Sequence, residues 1–295
     1  MLQFISYMEK LEKNESLEKY FTVCYWDQRG AGMTYSKSTD LSTMTVEQMV
    51  EDTRRVTEYL KSRFDHEKIY LLGHSWGSYL GVKTIEKYPE NYFAYIGIGQ
   101  TSNFTESERL SYNYMLHHAK RINDKDAIQK LEKFDPNAES FPLIQKEGHQ
   151  LDYLLVRTEL LNKYGIGHIH KIELLKGMTF NGMVLRALFR FKGYTLKEKI
   201  NWFLGADFSM VHLFPVLLND DFFVSSTKFA IPFYLIHGVY DYMCSQVLAE
   251  EYLNILEAPQ KEFFAFSNSA HSPNMEESEK FVQVFRKIAL ECTLQ

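Results

Sequence analysis

The stretch Ile69-Tyr70-Leu71-Leu72-Gly73-His74-Ser75-Trp76-Gly77-Ser78 constrains the fold of this chain more than any other. It reads as a short apolar strand, a turn of the form G-x-S-x-G, and the start of a helix. A serine on such a strand-to-helix turn is held in a sharp, strained bend, so the positions two before and two after it are expected to be small. Here both are glycine, Gly73 and Gly77, and Ser78 keeps the following position small.

The pattern around this turn specifies a parallel sheet covered on both faces. An amphipathic helix is expected over residues 1–20, then a strand over Tyr20–Trp26 that ends in the loop Asp27-Gln28-Arg29-Gly30-Ala31-Gly32. A helix follows from about Thr45 to Arg63, with Thr45 as N-cap and Gln48 closing a capping box. Next come a strand over 68–74, a helix from Trp76 to about Tyr88 that stops before Pro89, and a strand over Phe93–Gly99. From Thr101 to Lys228 strand patterning is lost and helical periods take over, at 106–121, 127–134, 148–163 and 195–203, with Pro136, Pro142 and Pro215 at breaks. Alternation resumes with a strand over Phe233–His237, a helix over Ser245–Leu256, a strand over Glu262–Phe266 and a helix from Met275 to about Leu290. The expected architecture is an α/β core of residues 1–100 and 229–295, interrupted by a helical cap domain over 101–228.

A serine hydroxyl needs a histidine base and, usually, a carboxylate that orients the histidine. In an α/β-hydrolase these follow in the order serine, acid, histidine, each on a loop at the carboxyl end of a strand. Asp241 follows the strand beyond the insertion, and His271 follows the last strand. Taken singly, Asp241 is a turn aspartate and His271 a loop histidine; their joint placement selects them. The pairs His117-His118 and His168-Ile169-His170 lack a third ligand or H-E-x-x-H spacing and read as surface residues, so no metal and no cofactor is expected. The aromatic side chains of the insertion, among them Tyr153, Phe180 and Trp202, read as core packing.

Composition narrows the partners. The 295 residues carry 33 basic and 38 acidic side chains in an interspersed pattern, a net charge of -5, which argues against a nucleic-acid groove or an anionic membrane surface. No signal peptide is read at the start and no apolar run is read as long enough to span a membrane, so a cytoplasmic location is expected. Cys24, Cys244 and Cys292 are widely spaced and lack C-x-x-C, which indicates reduced thiols. The expected partner is a small peptide or other small-molecule substrate, and a homo-oligomer is compatible with the composition.

The blocks Trp26-Asp27-Gln28-Arg29-Gly30-Ala31-Gly32, Gly73-His74-Ser75-Trp76-Gly77-Ser78, His237-Gly238-Val239-Tyr240-Asp241 and Ala270-His271-Ser272 resemble those of the proline iminopeptidases and related serine aminopeptidases of the α/β-hydrolase fold. D-Q-R-G-x-G together with G-x-S-W-G is far more specific than a generic serine-hydrolase pattern. The resemblance implies Ser75 as nucleophile, Asp241 as orienting acid, His271 as base, the Trp76 N–H as one oxyanion donor, and a helical cap over the site. Two departures accompany it. The family's first three strands and its His-Gly-Gly-Pro-Gly loop, which supplies the second oxyanion donor, are not found. Without the third strand, the 20–26 and 68–74 strands are expected to pair directly or to accept another chain between them. The tryptophan-rich cap motif that binds a substrate ammonium is also missing, so Asp152, Glu159, Glu173 and Asp207 stay unassigned for that role. Cleavage of an N-terminal residue from small peptides through an acyl-enzyme is the leading expectation. An esterase, another small-molecule hydrolase, or an impaired or truncated family member are the alternatives.

Overall fold

A computed structural model describes residues 16–139, 141–142 and 152–293. Four strands form one parallel sheet in the order β1-β2-β3-β4: β1 (Ile69–His74), β2 (Tyr92–Ile98), β3 (Phe233–Gly238) and β4 (Lys261–Phe266). Side chains alternate between two cores, as a period of two requires. Tyr95, Phe233 and Leu235 pack under α1 (Val46–Phe64), α2 (Trp76–Lys87) and the helix Gln246–Ile255 (α9), whereas Ala94, Ile96, Tyr234 and Ile236 pack under the helix Ser278–Thr293 (α11). Register places His74 opposite Ile98, Ile98 opposite Ile236, and Gly238 opposite Phe266, so the loops after all four strands leave from one edge of the sheet.

Between β2 and β3 the described residues contain helices and no strand of the sheet: α3 (Phe104–Arg121), α4 (Lys125–Leu131), α5 (Asp152–Lys163), α6 (Phe180–Arg190), α7 (Leu196–Asn219) and α8 (Phe222–Ser225). Side-chain caps start several of them: Asn103 accepts from the Glu106 N–H at 2.9 Å, and Thr195 and Glu198 form a reciprocal capping box. Glu108 and Arg157, both buried, join α3 to α5 through an ion pair of 2.6 Å, and Arg157 also donates to the Met243 carbonyl at 2.9 Å.

Several expectations need correction. Residues 22–28 adopt no regular structure; Phe21, Val23 and Trp26 pack against the cores, but among the described residues nothing pairs with β1 on its outer side. The apolar pattern half-buries alternate side chains, but a strand exists only with a backbone partner, and neither β1 nor any other described strand supplies one. Residues 1–15 of the expected first helix lie outside the described residues, and Leu17–Lys19 form a single 3₁₀ turn. Residues 148–151 of the third expected insertion helix are likewise outside them. Thr45 caps α1 as expected, accepting from the Gln48 N–H at 3.2 Å, but the Gln48 amide donates to Asp52 at 2.9 Å instead of closing a box. Pro215 lies inside α7, which continues to Asn219. That helix is also long and apolar enough, by length and composition alone, to cross a membrane, and most of it is unburied, contrary to the reading that no such run exists.

Candidate active site

Ser75 occupies φ 56°, ψ −121°, a region that costs a residue with a side chain on the order of 1–3 kcal/mol. The bend is pinned from both sides. The Ser75 N–H donates to the Ile98 carbonyl at 3.0 Å, and the buried Ser78 hydroxyl donates to the Ser75 carbonyl at 2.6 Å. Crowding is one-sided, however. A Cβ on Gly73 would stand 2.3 Å from the Gly77 carbonyl oxygen, whereas a Cβ on Gly77 would meet nothing within 4 Å. The strand side of the turn therefore demands glycine; the helix side does not.

Asp241 and His271 are brought together from the ends of β3 and β4, the His271 Nδ1 lying 2.8 Å from the Asp241 Oδ2. Both are buried. The other Asp241 oxygen accepts the N–H groups of Met243 at 2.9 Å and Cys244 at 3.0 Å. Burial pushes the Asp241 pKa up, but the His271 charge and hydrogen bond, with His237 and the Cys244 N–H, outweigh it and hold the carboxyl below its ordinary range. Asp241 is thus a carboxylate that accepts from Nδ1–H, leaving Nε2 as the imidazole's basic nitrogen. Among the described residues no hydrogen bond runs from the Ser75 hydroxyl to the His271 ring, a contact that commonly tightens only when substrate is bound.

Residues that sequence reasoning passed over complete the setting. His74, inside the turn motif, lies with its ring centroid 4.7 Å from that of His271, and its Nε2 donates to the His271 carbonyl at 2.7 Å. Burial, then the neighbouring His271 charge, push the His74 pKa down to about 3, so it is a neutral donor at ordinary pH. Gly99 closes β2 at φ 53°, and a Cβ there would stand 2.6 Å from the His271 Cε1. His237 is fully buried with Nδ1 3.6 Å from Asp241, and its ring nitrogens have no hydrogen-bond partner among the described residues. His168 and His170 are not surface residues as expected: His168 stacks on Phe180 at 4.0 Å, and His170 stacks on Tyr240 at 3.6 Å.

The D-Q-R-G loop sends each side chain to a different element. Asp27 accepts from the Tyr194 hydroxyl at 2.7 Å, Gln28 accepts from the Trp76 indole at 2.9 Å, and Arg29 makes a two-pronged pair with Asp52 at 2.7 and 2.9 Å. Trp76 is the first residue of α2, so its N–H belongs to the unsatisfied, electropositive end of that helix. Among the described residues, no three His, Cys, Asp or Glu side chains converge as a metal site.

The sequence was compared with known proteins. A profile of the family described as serine aminopeptidase, S33, matches residues 15–123. The probable aminopeptidase YbaC of Bacillus subtilis is 31% identical over 97% of this chain and 84% of its own length.

The chain belongs to the S33 serine aminopeptidase family.

Solved structures agree on the α/β-hydrolase fold. A proline iminopeptidase from Mycobacterium smegmatis superposes with a TM-score of 0.52 at 13% identity, covering 99% of this chain and 85% of that one. A proline iminopeptidase-related protein from Thermus thermophilus gives 0.51 at 20% identity over 92% and 81%. In this S33 hydrolase the described carboxylates left open for an ammonium group face solvent. Glu159 is exposed and paired with Lys130 at 2.8 Å, Glu173 and Asp207 are exposed, and the side chain of Asp152 lies outside the described residues.

Proposed function

We propose that this chain is a serine hydrolase of the aminopeptidase type that acts through an acyl-enzyme formed on Ser75. The observation that supports it most is the buried Asp241–His271 pair at 2.8 Å, set on the strand ends beside a serine held at positive φ. In this reading His271 Nε2 takes the Ser75 proton as Oγ attacks the acyl carbon, and the developing oxyanion accepts from the Trp76 N–H. The imidazolium, steadied by Asp241, then protonates the leaving amine. Water repeats the sequence to release the acid.

The helical stretch 101–228 serves as the cap, the substrate is a small peptide that loses its N-terminal residue, and the enzyme works in the cytoplasm. Exposure of Glu159, Glu173 and Asp207 favours one rival, an esterase acting on neutral substrates. An oxyanion donor such as the Trp76 N–H is typically worth about 10²–10³ in rate.

A fluorophosphonate probe is expected to label the wild type at Ser75 and to leave Ser75→Ala unlabelled; equal labelling of both sinks the nucleophile assignment. Turnover of aminoacyl β-naphthylamides supports the peptidase. Turnover of p-nitrophenyl esters with none of the amides selects the esterase instead.

A further inference from the structure

The His271 loop is gripped by a stretch of the helical insertion. Residues 165–171 lie across both catalytic loops. The Gly167 carbonyl accepts from the His271 N–H at 3.1 Å, the Ile166 carbonyl accepts from the Tyr242 N–H at 3.0 Å, and the His170 ring lies flat on Tyr240. One buried side chain fastens that stretch to the histidine loop. Glu276, the last residue of α10 (Pro273–Glu276), accepts the Ala270 N–H on one carboxylate oxygen at 2.8 Å. Its other oxygen accepts the N–H groups of His170 at 2.7 Å and Lys171 at 2.8 Å. The Lys171 ammonium returns to the Glu276 carbonyl at 2.8 Å.

We infer that Glu276 is a positioning residue for the proposed reaction: its carboxylate ties residues 170–171 of the cap to Ala270 and so holds the His271 imidazole in line with Ser75. This rests on the Ser75–His271–Asp241 reading. Glu276 touches neither the His271 ring nor Asp241; it acts through the residue before His271 and through the cap stretch that receives the His271 N–H. Three charge-assisted bonds converge on it, each stronger than a neutral one. A catalytic group must sit within about half an ångström of its working position, and a displacement near 1 Å costs about 10² in rate.

Glu276→Gln tests this directly. The amide keeps the shape but replaces one acceptor by a donor, so one set of backbone N–H groups faces an NH₂. The expected result is a fall in kcat of about 10–100-fold with KM within about threefold. The low-field proton NMR signal of His271 Nδ1–H, bonded to Asp241, should shift or broaden in parallel. A kcat within twofold of wild type and an unmoved Nδ1–H signal overturn the inference.

Should Glu276→Gln fail to fold, Lys171→Pro decides. Lys171 has φ −77°, which proline accepts, and the change removes both bonds that Lys171 gives Glu276. It is expected to lower kcat by about threefold or more and to shift the same proton, and unchanged values of both overturn the inference. A Ser75→Ala enzyme with full activity would instead overturn the nucleophile assignment. The NMR comparison would then still decide Glu276.

Discussion

Gly99→Ala probes how tightly the His271 ring is held. Gly99 sits at φ 53°, where an L-residue loses on the order of 1–2 kcal/mol. The added methyl would stand 2.6 Å from the His271 Cε1, 2.8 Å from Nδ1 and 3.3 Å from the Asp241 Oδ2. Restoring an ordinary contact of 3.4 Å to Cε1 means moving the ring by about 0.8 Å. The ring has little freedom to yield, because the His271 carbonyl is held by His74, its N–H by Gly167, and its Nδ1 by Asp241. A displacement of that size predicts a loss of about 10² in kcat/KM, with stability lowered by about 1–3 kcal/mol. Activity is followed on a p-nitrophenyl ester and stability by urea unfolding. Gly77→Ala is the control, since its methyl meets nothing within 4 Å, and it should keep kcat/KM within about threefold. If Gly99→Ala turns over as well as Gly77→Ala, the crowding argument is wrong.

Two further outcomes concern stability. Burial, chiefly, pushes both His74 and His168 down to about 3, so in the unfolded chain they take up protons near pH 6.5 while the folded protein leaves them neutral. The unfolded state then binds more protons between those values. Stability should fall as pH drops below 6.5, by at most about 3 kcal/mol for each histidine at pH 4.5. Urea titrations at pH 7.5 and 4.5 measure this, and His168→Asn should remove about half of the difference; equal stabilities at the two pH values would refute it. Arg157→Met would strand the fully buried Glu108 carboxylate and should cost about 3–5 kcal/mol in the same assay. Replacing both partners by leucine should recover most of that loss, and a neutral single variant would show that the pair is solvated.

What was legible in the sequence is what local chemistry writes. The Ser75 turn is spelled by contiguous residues, and the pairing of Asp241 with His271 is legible because parallel strands send their loops to one edge in chain order. Gly99 could not be found this way: a left-handed glycine at a strand end looks like any other until the imidazole it accommodates is in place. Glu276 carries no local signal, because its three donors come from Ala270, His170 and Lys171, two of them more than 100 residues away in the chain. His168 and His170 look solvated in the sequence for the same reason; nothing in their neighbours shows the loop folding inward. Residues 20–26 carry a strand pattern without a strand, because apolar alternation records contact with the core, whereas a strand also needs a hydrogen-bonded neighbour. Gly77 shows the opposite error, a requirement inferred from a motif where the structure leaves open space.

The insertion leaves and rejoins the core at one doorway: Asn103 and Asp221 form an isolated bridge, and the Phe222 N–H donates to the Ser102 carbonyl at 2.9 Å. Entrance and exit of the insertion are thus fastened to each other beside the sheet. A proteolytic nick inside the insertion would leave two fragments that still share the β2–β3 ladder and should copurify as one particle. For the same reason, a change of length elsewhere in the insertion leaves the crossing between β2 and β3 in place, whereas one that reaches residues 165–171 takes away the Gly167 carbonyl that receives the His271 N–H.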